Sequence, residues 1–172
     1  MDLKKASSGN LLAIMRIIAE AQQFLKSLGV DQWQNGYPSE EIINNDIEHG
    51  NGYILTVADE VVAFATVIFA EEPTYANIYD GQWLTGSEYA VIHRMAVANT
   101  HKEKGYGQAV YREIERMALT RKTPSLRVDT HEDNIPMQKL ITKSGYTYCG
   151  VIYLMDGSKR IAFERIVRPA HF

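Results

Sequence analysis

Cysteine is nearly absent from this chain: Cys149 stands alone, so no internal disulfide can form and no cysteine-rich metal site can be built, a usage that fits a reducing compartment. Long apolar runs are missing too. The longest, 61–70, is about half of the ~20 residues a spanning helix needs, and the opening Met1-Asp2-Leu3-Lys4-Lys5 lacks the apolar stretch of a secretory signal. A cytoplasmic protein, neither exported nor membrane-bound, is therefore expected. An excess of positive charge is also lacking. With a net charge of −3 and no basic patch apart from His101-Lys102-Glu103-Lys104, nothing draws the chain to a nucleic-acid backbone, and no such partner is expected. The five histidines, His49, His93, His101, His131 and His171, show no metal-ligand spacing, so no metal is expected either. Repeats, low-complexity tracts and linker-like segments are missing as well. What is present, 45% hydrophobic and 23% charged residues over 172 positions, suits a soluble globular protein, and 1–172 reads as a single domain.

Periodicity supplies the elements. Leu11, Ile14, Met15, Ile18, Ala21 and Leu25 follow helical spacing, with Ser7 or Ser8 in front as a cap and Gly29 behind as a left-handed terminator. After a loop over 30–38, Ser39 with Glu40 and Glu41 predicts the capped, acidic first turn of a short helix through Ile47. Apolar β-branched and aromatic runs over 53–58 and 61–70 predict strands joined at Asp59-Glu60, followed by an aromatic-rich loop over 71–87. Strand 89–97 leads through a basic turn into a helix over 105–121, with Ala109, Val110, Ile114, Met117 and Ala118 inward. A short strand over 126–130, a helix over 134–144 and a hairpin of 146–155 with 160–167 complete the chain. The expected fold is α/β, a mixed and mostly antiparallel sheet with helices on both faces. Strands 89–97 and 126–130, joined through a crossover helix, should be its parallel pair.

The turn before the 105–121 helix carries the chemistry. In Lys102-Glu103-Lys104-Gly105-Tyr106-Gly107, two glycines let the backbone approach a ligand that a Cβ would exclude, and the unpaired N–H groups of a helix start suit an anion such as a diphosphate. Taken alone, Gly-x-Gly is also the signature of a plain tight turn. A P-loop would need Gly-Lys-Ser/Thr, and the dinucleotide fingerprint a third glycine; Asp129 near the distance of that fingerprint's acidic residue keeps a nucleotide-binding α/β domain as an alternative.

Met95-Ala96-Val97 at the strand end, followed by Lys102-x-x-Gly105-x-Gly107, resembles the signature of the GNAT superfamily of N-acetyltransferases, with Lys where that family usually has Arg or Gln. Asp129 to Asn134 and then Lys143-Ser144-Gly145-Tyr146 look like its next block. The resemblance implies an acetyl-CoA-dependent enzyme that moves acetyl to a primary amine of a small molecule, peptide or protein by direct attack, and it is compatible with a homodimer. It implies that the splayed strands 89–97 and 126–130 admit pantetheine, whose amides pair with the backbone of Met95, Ala96 and Val97. The diphosphate would lie on the N–H groups of Lys102, Glu103, Lys104, Gly105, Tyr106, Gly107 and Gln108, with Asn134 at the pantetheine or thiol end and the Met95 N–H as oxyanion donor. Many members carry a leaving-group Tyr where this chain has Ile141. A thiol of pKa ~8.5 leaves as thiolate without much help. The substitution keeps a second reading open, a non-catalytic acyl-CoA-binding sensor.

Further candidates come from the residues themselves. His93 lies two positions before Met95, so a regular strand puts both on one face, and a neutral imidazole can take a proton from an ammonium; a hydrogen-bonded core role is the alternative. Glu88, Asp129 and His131 are its rivals as base, and the 129–134 segment reads equally as a helix cap. Trp33, Tyr37, Tyr75, Tyr79 and Trp83 lie in loops. They are either lids over the core or the wall of an acceptor pocket, for which Trp33, Tyr37, Tyr75, Trp83 and Asp129 are the chosen residues. Cys149 reads as a small packed residue.

Overall fold

Leucine, isoleucine and their spacing build the first helix. In the computed structural model, which describes residues 2–86 and 88–167, α1 (Leu11–Ser27) buries Ile14, Ile17, Ile18 and Leu25 on one side. His171 lies outside the described residues. Ser7 and Ser8 are not the caps of α1: a 3₁₀ turn, Ser8–Asn10, intervenes, and Asn10 takes the N-cap position. Helix α2 (Glu40–Glu48) starts as expected, with Ser39 Oγ accepting the Ile42 N–H at 3.3 Å, which satisfies one of the orphan donors of the first turn.

The strands are β1 (Leu3–Lys5), β2 (Gly52–Val57), β3 (Glu60–Ile68), β4 (Ala90–Val97), β5 (Ser125–Thr130), β6 (Thr147–Tyr153) and β7 (Lys159–Ile166). They form one seven-stranded sheet in the order β1-β2-β3-β4-β5-β7-β6, mostly antiparallel, with β4 and β5 as its parallel pair. Strand β1 is an addition to the expected order. It pairs antiparallel with β2 through only three residues, two of them exposed lysines, so no alternation marks it. The β2–β3 hairpin turns one residue earlier than expected. Ala58 and Asp59 take φ values of 47° and 63°, and two left-handed central residues give the turn the twist that antiparallel strands require even without glycine. Helix α3 (Tyr106–Thr120) lies between β4 and β5 in the chain; α4 (Ile135–Lys143) follows β5, with Asn134 as its N-cap and Pro136 in the first turn, where the missing N–H costs nothing.

The chain divides into two units. The first comprises Met1–Val67 and His93–Glu113, the second Ile68–Ile92 and Ile114–Phe172. Unit one has its core in Ile14, Ile17 and Ile18 of α1, Ile43 and Ile47 of α2, and Ile54, Phe64 and Ala96 of the strands. Each fully buried isoleucine contributes about 1.5–3 kcal/mol. Unit two is built around Tyr75, Tyr89, Val91, Ile152 and Ala162, with Ile78, Trp83 and Leu154 packed against them. Among the described residues no helix is long and apolar enough to cross a membrane.

Candidate functional site

Strand β4 carries two polar side chains, His93 and Arg94, inside an otherwise apolar run. Its registered ladder with β5 pairs Ala90 with Leu126, Val91 with Arg127 and Ile92 with Val128, and β4 then continues to Val97. Within that continuation Arg94 has φ 51°, a left-handed conformation in mid-strand. The rule that residues two apart share a face requires an extended residue between them, so it does not carry over to His93 and Met95. His93 is half-buried, Met95 and Ala96 are buried and Val97 is half-buried.

Arg94 is held by its side chain. Its Nε donates to Asp46 Oδ2 at 2.6 Å, its Nη2 to Asp46 Oδ1 at 2.8 Å and its Nη1 to the Tyr37 hydroxyl at 2.9 Å. Asp46 is only 4% exposed and also accepts from Thr66 Oγ1 at 2.7 Å. Burial works against the guanidinium charge, but the hydrogen bonds and charge of Asp46 and Tyr37 outweigh it and raise the Arg94 pKa. Neither Arg94 nor Asp46 is a candidate on sequence grounds, although a charged residue inside an apolar strand was an available signal.

Beyond β4, a 3₁₀ turn, Asn99–His101, is tied to α1 through the Asn99 N–H, which donates to Glu20 Oε2 at 2.7 Å. Lys102 places its ammonium 3.7 Å from the centre of the Phe24 ring, and burial lowers its pKa while Glu20 acts the other way. Glu103 is left-handed and exposed, Lys104 is exposed, and Gly105 has φ 80°. A Cβ added at Gly105 would meet nothing within 4 Å, so this glycine faces open space at the start of α3. Tyr106, Gly107 and Gln108 form the first turn of that helix, all half-buried. A left-handed glycine beside open space, followed at once by a fifteen-residue helix, is what a diphosphate needs: backbone donors, dipole and no side chain in the way.

Of the acceptor candidates, Trp33 and Tyr37 fall in unit one, Tyr75, Trp83 and Asp129 in unit two. Trp33 packs against the unit-one core with φ 58°, and Tyr37 is 41% exposed. Tyr75 is buried, and its hydroxyl donates to Asp129 Oδ2 at 2.6 Å. Burial first, and then the charge of Asp129, push the Tyr75 pKa well above the usual phenol range. Trp83 Nε1 donates to the Tyr75 carbonyl at 2.9 Å. Tyr75, Ile78 and Trp83 therefore anchor the loop over 71–86 on the unit-two core, while most of its other residues stay exposed, among them Leu84 and Tyr79, which bridges to Val151.

Arg127, also missed in the sequence, lies between Trp83 and Tyr89, with its guanidinium carbon 4.2 and 3.9 Å from the two ring centres. It donates to Glu164 at 3.1 Å and to the carbonyls of Thr85 and Gly86 at 2.9 and 2.7 Å. Glu164 in turn accepts the Leu84 N–H at 2.6 Å and the Thr85 hydroxyl. Of the remaining candidates, Glu88 is exposed, and His131 Nδ1 accepts the Asp133 N–H at 3.0 Å, a turn role. Asn134 Oδ1 accepts the Met137 N–H at 3.2 Å, Ile141 is fully buried, and burial pushes the Cys149 thiol up to about 11, which makes it a poor nucleophile. Among the described residues no cluster of three or more ligating side chains could hold a metal ion.

This combination of a seven-stranded sheet, one parallel pair and a glycine turn into α3 has known counterparts. The model of the acetyltransferase (GNAT) family matches residues 15–146, and the chain belongs to that family. An acetyltransferase of the GNAT family from Streptococcus agalactiae is 33% identical and superposes with a TM-score of 0.89 over 98% of this chain and 96% of its own. The streptothricin acetyltransferase of Escherichia coli is 30% identical over 67 residues, which span 39% of this chain and only 38% of that protein. The ribosomal-protein-alanine N-acetyltransferase of Brucella melitensis shares the fold, with a TM-score of 0.67 at 16% identity, covering 96% of this chain and 99% of that one.

Proposed function

We propose that this acetyltransferase takes its acetyl group from acetyl-CoA and delivers it to a primary amine of a small molecule, peptide or protein by direct attack. The observation that carries the reading is the continuous path from β4, which runs on past its last registered pair with β5, to the open left-handed Gly105 and the start of α3. Acetyl-CoA, when bound, supplies the acetyl group already activated as a thioester. Met95, Ala96 and Val97 offer the backbone groups that would pair with its pantetheine amides, and the N–H groups from Lys102 to Gln108 would hold the diphosphate. Asn134 would stand at the pantetheine end. The Met95 N–H would donate to the carbonyl oxygen as negative charge grows on it, at no reorganisation cost because the strand already fixes it.

His93, half-buried on the same strand, would remove the ammonium proton directly or through one water, with Glu88, Asp129 and His131 as the other groups able to do so. Trp33, Tyr37, Tyr75, Trp83 and Asp129 would shape acceptor binding, Tyr75 by holding Asp129 in place. The streptothricin acetyltransferase of Escherichia coli acts, by its name, on a small molecule, which supports an acceptor of that class. The test is thiol release from acetyl-CoA with a panel of amines beside a thermal-shift comparison of coenzyme A with dinucleotides. Amine-dependent release is expected. A coenzyme A shift with no release for any amine would make the chain an acyl-CoA sensor, and a shift with dinucleotides alone would make it a nucleotide-binding domain.

A further inference from the structure

The left-handed residue in β4 is an arginine, and this is an unusual place to find one. L side chains avoid φ 51° because Cβ crowds the carbonyl, and such outliers persist only where the surroundings over-determine them. The surroundings of Arg94 do so. Its planar fork meets both oxygens of one carboxylate, at 2.6 and 2.8 Å, and that carboxylate is itself fixed, since Asp46 is buried on α2 and bonded by Thr66 of β3 at 2.7 Å. A bidentate guanidinium has few ways to satisfy both bonds, so anchoring its head constrains the backbone at its root. The next residue is Met95. The conformation of Arg94 sets the orientation of the amide that joins the two, so a return to extended φ would turn the Met95 N–H away from its present direction.

We propose that Arg94 and Asp46 are positioning residues: their ion pair holds the left-handed turn in β4 and so aims the Met95 amide at the reacting carbonyl, while the Tyr37 hydroxyl ties the acceptor loop to the same guanidinium. The assignment rests on the reading of Met95 as the oxyanion donor. A role in stability alone is the competing explanation, and it makes a different prediction. Replacing both members of a buried ion pair by apolar residues of similar volume is often neutral or stabilising, whereas removing one leaves an uncompensated charge.

The experiment uses the full chain and the double variant Asp46→Leu with Arg94→Met, measured by thiol release from acetyl-CoA with an accepted amine, by melting temperature and by the coenzyme A thermal shift. The double variant is expected to melt only a few degrees below the wild type, because the buried Thr66 hydroxyl loses its acceptor, and to keep its coenzyme A shift and KM for acetyl-CoA, while kcat falls by about ten-fold or more, the scale of a misplaced catalytic donor. Arg94→Lys keeps the charge but not the fork and should give an intermediate kcat at unchanged melting temperature; if the double variant does not fold, this variant decides alone. Wild-type kcat in whichever variant decides overturns the positioning role. A fall in kcat matched by a lower melting temperature and a lost coenzyme A shift overturns it too, in favour of a structural role. Failure of the wild-type chain to transfer acetyl from acetyl-CoA overturns the transfer reading, and this assignment with it, and is read before any variant is made.

Discussion

Each unit has an arginine on a strand paired with a buried carboxylate, Arg127 buried and Arg94 half-buried, and the two pairs differ in how they meet their strand. In unit two, Arg127 stands directly across the β5–β7 ladder from Glu164, in regular register, stacked on two aromatic rings and bonded to the 84–86 loop. In unit one, Arg94 leaves the extended conformation and reaches back to a helix, with its third bond on the exposed Tyr37. A charge in register reinforces what the ladder already dictates. A charge at a kink maintains what the ladder would otherwise remove. The first should therefore act on stability and the second on activity, a difference that chemistry alone, the same Arg–carboxylate pair, does not reveal.

The largest effect should come from the in-register pair. Glu164→Leu leaves Arg127 buried without its carboxylate and removes the acceptor of the Leu84 N–H, one of the anchors of the 84–86 loop, and a loss of about 3–5 kcal/mol is expected in urea unfolding. A loss below about 1 kcal/mol would break the comparison, since Arg127 would then be satisfied by the Thr85 and Gly86 carbonyls alone.

Next in size is a change whose main effect should be on activity. His93→Ala is expected to lower kcat by about 10²-fold, while the coenzyme A shift stays near that of the wild type. His93→Gln keeps hydrogen bonding but cannot cycle a proton, and should be equally slow. Wild-type kcat in His93→Ala would move the base to Glu88, Asp129 or His131.

The smallest effect sharpens the picture of unit two. Tyr75→Phe removes the 2.6 Å bond to Asp129 and should cost about 1–2 kcal/mol at neutral pH. The raised pKa of Tyr75 means that the folded chain keeps this proton when the unfolded chain loses it near pH ~10, so the native state binds more protons there and stability falls as pH rises. Melting curves between neutral and strongly alkaline pH should therefore fall less steeply for Tyr75→Phe. Parallel curves for the two proteins would show that Tyr75 does not titrate in the unfolding transition.

Helical periodicity and β-branched runs made most elements readable, because each follows from local spacing. Strand β1 did not, since three residues with two lysines have no pattern of their own and become a strand only by pairing with β2. The glycine turn before α3 was legible because positive φ selects glycine at Gly105. The kink at Arg94 was illegible for the converse reason: the residue that adopts it is held by Asp46, 48 positions away, and no local rule couples them. In the 71–86 loop, the aromatic residues admit two readings, lids over the core or the wall of an acceptor pocket. Tyr75 and Trp83 lie against the unit-two core because Arg127, Glu164 and Asp129 supply partners from distant strands.

Binding of coenzyme A to the wild-type chain and to Gly105→Val tests the proposed acetyl-CoA site most directly. Coenzyme A at about one hundred times its Kd should raise the wild-type melting temperature by about 5–10 °C through mass action. The Cβ of a valine at position 105 meets no protein atom within 4 Å and projects into the open space proposed for the diphosphate, so the variant, compared with its own unliganded form, should show no shift even though its φ of 80° strains the new side chain. A shift of wild-type size in Gly105→Val, or none in the wild type, would contradict the placement of acetyl-CoA on β4 and α3.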